Sequence, residues 1–131
     1  MALVEKSVLV GYSAQQMFDL VDRIENYPQF LPWCGGTNVL KREESLVVAT
    51  INIDYLQLKQ SFTTENTKSR PGEMRIRLQE GPFSELEGDW LFVPLGEDAC
   101  KVIFRLDYTF SSRALEAVLA PVSVSIPSAS W

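Results

Sequence analysis

The chain has 131 residues, a net charge of −5 and a hydrophobic content of 46%. That length suits a single domain with a real core, and that composition excludes a disordered chain. The negative balance argues against wholesale nucleic-acid binding by long-range attraction, while leaving room for a local basic face.

Residues 3–11 (LVEKSVLVG) are rich in β-branched residues and end on glycine, which predicts a first strand. Glu5 lies among these apolar residues and no basic leader precedes them, so a signal peptide is not expected. No apolar run approaches the ~20 residues of a membrane-spanning helix. Ser13 with Gln16 three residues on forms the Ser-x-x-Gln pattern of a capping box. Ala14, Met17, Phe18, Val21 and Ile24 recur at helical spacing, so a short amphipathic helix is predicted over 13–24. The run YPQFLPWCGG follows at 27–36, dense in apolar side chains yet fitting neither period. Its prolines fix φ and remove donors, and Pro28 is well placed to begin a helical turn. Such a segment closes a core, borders a pocket or meets a partner.

From about residue 37 the pattern is strand throughout. Val47, Ala49, Ile51, Ile53 and Tyr55 alternate with more polar neighbours, and 58–68 reads as a more polar strand before the turn signal SRPG. Met74, Ile76 and Leu78 alternate with charged residues, as do Leu86, Trp90 and Phe92, and then Val102, Phe104, Leu106, Tyr108 and Phe110. Period-two strands joined by short turns predict one antiparallel sheet with one buried face. The sequence SSRALEAVLAP offers a covering helix over about 112–120, interrupted by Pro121. Beyond it VSVSIPSASW looks atypical, a truncated or altered end in which the helix stops near Pro121. The exposed floor would then be covered by the tail itself or by a second copy in a homodimer. The chain shows no internal repeat or linker.

Residues with obvious chemistry are scarce. There is no histidine, which removes histidine triads, imidazole acid–base work and histidine metal sites. Cys34 and Cys100 are too few for a disulfide framework and are expected to be reduced thiols. No phosphate-binding glycine motif occurs, since GG at 35–36 and GEDA at 96–99 read as turns. Glu85, Glu87 and Asp89 share one strand face opposite Leu86, Trp90 and Phe92, and so read as solvated rather than catalytic. Gly88 falls among large apolar residues, where it marks a bend, a bulge, or close approach of a ligand or another backbone.

The order of strand, short helix, YPQFLPWC, six strands and an amphipathic helix resembles the helix-grip, START-like superfamily. The pairing of YPQFLPWCGG with GPFSELEGDWLFVPL is similar to the coenzyme Q-binding and ribosome-association toxin family, also labelled polyketide cyclase/dehydrase and lipid transport. The match spans residues 2 to about 121. It implies an α+β fold, a single domain over 1–131 whose curved antiparallel sheet packs around a C-terminal helix, atypical here from about 122. The resemblance makes Tyr27, Phe30, Leu31, Pro32 and Trp33 an apolar lip, or else a plug on the core, with Cys34 opening the next strand. Ile51, Phe62, Phe83, Leu86, Trp90, Phe104 and Tyr108 are the further candidates for the wall of a groove, with a cavity of order 300–1,000 Å³. Tyr108 or Tyr55 would orient a head group.

Two functions follow from the resemblance. One is binding or transport of a hydrophobic small molecule, an isoprenoid quinone such as ubiquinone or another lipid, supporting respiration. This reading needs no catalytic residue and no cofactor beyond the bound quinone or lipid. It places the protein in the cytoplasm, peripheral at the inner membrane, with transient membrane-surface contact. The other is association with the large ribosomal subunit that blocks subunit joining. Its support is a basic run over 59–77, where Lys59, Lys68, Arg70, Arg75 and Arg77 outweigh Glu65 and Glu73 by +3. Arg75, Arg77, Lys101 and Arg105 are the candidate contacts for RNA phosphates. Residues 80–98 hold six acids and no lysine or arginine, which opposes RNA on that side. A cyclase or dehydratase activity has no catalytic group to support it.

Overall fold

The computed structural model describes residues 2–55, 57–69 and 71–118. Strand β1 (Ala2–Val10) leads into helix α1 (Ala14–Asp22) and a 3-10 helix (Ile24–Gln29). Six strands follow: β2 (Cys34–Arg42), β3 (Leu46–Tyr55), β4 (Leu58–Ser69), β5 (Glu73–Glu80), β6 (Phe83–Pro94) and β7 (Cys100–Phe110). Residues 113–118 are helical. Where that helix ends, and what the tail covers, concerns residues outside those described.

All neighbours are antiparallel, in the order β1-β7-β6-β5-β4-β3-β2. The chain is a sequence of hairpins, except that β1 returns to lie beside β7. Register shifts in β2–β3, β4–β5 and β6–β7 supply the extra residues that bend a sheet. Gly88 belongs to this curvature. It pairs with Ile76 on one side and Leu106 on the other. A Cβ there would overlap the Arg105 carbonyl oxygen and press on Leu106, so close backbone approach explains the glycine.

Helix α1 begins where the sequence predicts. Ser13 Oγ accepts from the Gln16 N–H at 3.1 Å, and Gln16 Oε1 accepts from the Ser13 N–H at 2.9 Å. Its buried stripe of Ala14, Met17, Phe18 and Val21 packs on Met74, Trp90, Phe92, Val102 and Phe104. A second cluster forms under the irregular segment, where Ile24, Leu31 and Trp33 cover Val47, Ala49, Ile51, Ile53 and Phe62.

A buried ion pair ties α1 to the sheet. Lys68, counted above in the basic run, has a side chain only 1% exposed, and its Nζ lies 3.2 Å from Asp22 Oδ1. Arg42 of β2 donates to Asp22 Oδ2 at 3.3 Å and to Glu25 Oε1 at 2.8 Å. Lys68 is therefore structural and leaves the basic surface. Truncating Asp22 to alanine would strand a buried ammonium, a loss of about 3–5 kcal/mol. Lys68→Met should cost less, because Arg42 still faces Asp22. Urea unfolding of the two variants checks that order.

Candidate functional site

Between the two clusters lies a cavity of about 110 Å³ whose wall is almost wholly apolar. Ile24, Leu31, Trp33, Ile51, Ile53 and Phe62 come from the cluster under the irregular segment, and Leu86, Trp90, Phe104, Leu106 and Tyr108 from the cluster under α1. Tyr27, Thr64, Asn66, Ile76, Phe83 and Phe110 complete it. The volume falls below the range expected from sequence because large rings project into the space. Phe83 stacks on Phe110 at 4.9 Å and meets Phe62 and Tyr108 edge-on, while Trp90 and Phe104 pack at 4.4 Å. At about 110 Å³ the room left is somewhat below the ~150 Å³ of an apolar cavity that takes benzene, so it holds one ring at most.

The structure gathers Tyr27, Leu31, Trp33, Ile51, Phe62, Phe83, Leu86, Trp90, Phe104 and Tyr108 on this wall. Phe30 is not there. It is 38% exposed and meets the Tyr27 ring edge-on at 5.7 Å. The Phe30 and Leu31 amides both bond the Tyr27 carbonyl, at 3.1 and 2.9 Å, and this tight turn sends Leu31 inward and Phe30 outward. Tyr55 packs beside the second cluster and is not part of the wall. Cys34 does open β2, as the resemblance implied.

Thr64 and Asn66 were not singled out from sequence. They share the inward face of β4 with Phe62 and Lys68; Glu65 and Thr67 beside them are half-exposed and exposed, while Thr63 is itself buried. Period two counted from Phe62 would have found them, but a polar residue reads by default as outward. Asn66 Oδ1 and Trp33 Nε1 are buried without a hydrogen-bond partner.

The Tyr27 hydroxyl donates to the Val21 carbonyl at 2.6 Å. Burial first, then the Asp22 charge, holds its phenol well above the ordinary tyrosine value. Burial also raises the thiols of Cys34 and Cys100; at Cys34 a backbone hydrogen bond with Gly36 opposes the shift. Both thiols are therefore kept protonated and poorly nucleophilic. Among the described residues no cluster of histidine, cysteine and carboxylate side chains could hold a metal ion, and no helix is long and apolar enough to cross a membrane.

The candidate partner contacts lie on the sheet's opposite face. Arg75, Arg77, Lys101 and Arg105 are all exposed. Register interleaves the three arginines with acids: Arg75 faces Asp89, which faces Arg105, which faces Glu5, whereas Lys101 faces Leu9 and Val93. Arg77 lies between Glu65 and Glu87. The row is mixed rather than uniformly basic.

A curved antiparallel sheet with a helix at its start, enclosing an apolar cavity, defines a helix-grip, START-like protein. Residues 10–126 match the family described as polyketide cyclase / dehydrase and lipid transport, and the chain belongs to that family. A START superfamily protein from Mycobacterium smegmatis has the same fold, with a TM-score of 0.78 at 23% identity over 97% of this chain and 92% of its own. The chain is 40% identical over 122 residues to a Vibrio cholerae protein named ribosome association toxin RatA, covering 93% of this chain and 85% of that one. It is 28% identical over 111 residues to the Xenopus laevis coenzyme Q-binding protein COQ10 homolog B, mitochondrial, covering 82% of this chain and 46% of that one.

Tyr27 also gives the fold an alkaline limit. Its folded pKa lies above the unfolded value of about 10, so its contribution is complete below that pH and is lost as pH rises through the folded pKa. Tyr27→Phe should cost about 1 kcal/mol at pH 7 through the lost hydrogen bond, and its stability should fall less steeply between pH 9 and about 11. Denaturant titrations at pH 7, 9 and about 11 measure this.

Proposed function

We propose that the protein binds and carries a hydrophobic small molecule, an isoprenoid quinone or another lipid, in service of respiration. The observation that carries this reading is the apolar cavity between the two core clusters. The name of the Xenopus relative, a coenzyme Q-binding protein, supports a quinone. Binding rather than catalysis accounts for the wall, which offers tyrosine, threonine, asparagine and tryptophan but no charged side chain among the described residues. The part of the ligand beyond its ring lies outside so small a cavity, and collecting it calls for transient contact of a cytoplasmic protein with the inner membrane surface. Ile51→Trp fills the cavity from β3 and should abolish binding of a short-chain ubiquinone in calorimetry while the circular dichroism spectrum persists. Unchanged affinity would remove the cavity as the site.

A second reading, association with the large ribosomal subunit, is favoured by the 40% identity to a protein named ribosome association toxin. The exposed Arg75, Arg77, Lys101 and Arg105 are the contacts it offers to RNA phosphates. Joint reversal, Arg75→Glu with Arg77→Glu, should abolish co-sedimentation with ribosomes and leave ligand binding intact. Equal co-sedimentation of wild type and double variant at low and moderate salt would exclude this face.

A further inference from the structure

The cavity wall contains two polar residues that the fold does not satisfy. Asn66 is 6% exposed and Trp33 is 4% exposed, and both line the cavity. Neither Asn66 Oδ1 nor Trp33 Nε1 has a hydrogen-bond partner. The other end of the amide reaches only the Met74 thioether, a weak acceptor, at 3.9 Å. A buried polar atom without a partner costs about 1–3 kcal/mol, and folded proteins keep few of them. The two atoms are opposite in kind, because an indole N–H only donates and an amide oxygen only accepts. No charged residue stands on the wall among the described residues. A carboxylate or phosphate would therefore enter without a counter-ion, at a large desolvation cost.

Building on the ligand-binding reading above, we propose that the cavity selects a neutral ring carrying a hydroxyl group, a phenol or hydroquinone. The hydroxyl donates to Asn66 Oδ1, and Trp33 Nε1 donates to an oxygen on the same ring. An oxidised quinone carries acceptors alone and leaves Oδ1 unpaired. Flipping the amide to suit it would turn Oδ1 toward the Met74 sulfur, setting two acceptors against each other. The reduced head group is thus the better fit, and about 110 Å³ admits one ring.

The test uses 4-hexylphenol and its methyl ether, 4-hexylanisole, by isothermal titration calorimetry on the whole chain. Wild type should bind the phenol about tenfold more tightly, the worth of one hydrogen bond to an otherwise unpaired acceptor. In Asn66→Leu that ratio should collapse toward one with ether affinity kept. The variant should melt no lower than wild type, since an unsatisfied amide has been removed. Trp33→Phe should weaken both probes by a similar factor, because each presents an oxygen. Equal affinity of wild type for the two probes overturns the hydroxyl assignment and leaves the cavity reading standing. Failure of both probes to bind overturns both.

Discussion

The apolar inner face of a seven-stranded sheet is broader than a nine-residue helix can cover, and the rest of the architecture answers that mismatch. Helix α1 protects the β5–β7 side with Phe18 and Met17, while the chain after it protects the β2–β4 side with Ile24, Leu31 and Trp33. Regular structure is not needed for the second task. A 3-10 turn containing Pro28 and a tight reversal at Tyr27 bring three large apolar side chains inward over a short length of chain. Two covers of different geometry meet imperfectly, and the cavity lies along their seam.

Polar groups hold the two covers in place. Asp22 stands at the end of α1, where its charge opposes the helix dipole, and it is retained there by Lys68 from β4 and Arg42 from β2. Arg42 also grips Glu25 in the 3-10 helix, so one guanidinium links both covers to the sheet. Tyr27 adds a hydrogen bond from the irregular segment back to the last turn of α1. These contacts fix the seam, and with it the position of Trp33 and Tyr27 on the cavity wall. The outer face is built differently. Its cations and acids alternate across strands, which gives cross-strand attraction and dilutes the positive potential a nucleic acid would need.

The strands, the capped helix and most of the cavity wall are legible in the sequence because each is a local pattern. Alternation decides which side of a strand faces inward, so Ile51, Trp90, Phe104 and Tyr108 could be assigned to one surface without knowing what lay opposite. The pairing of Ser13 with Gln16 is likewise complete within four residues. Three features depended on contacts distant in sequence. Lys68 reads as surface charge until Asp22, 46 residues earlier, is brought beside it. Phe30 and Leu31 are equivalent in composition, and only the reversal on the Tyr27 carbonyl separates them. Asn66 reads as an ordinary polar residue of a polar strand until the sheet curls and places it against a cavity shared with Trp33. Sequence by itself determined which residues alternate, and therefore the existence of one buried sheet face. Tertiary structure decided how far that face curls and which polar atoms it traps, because curvature and pairing arise from contacts that no single segment contains.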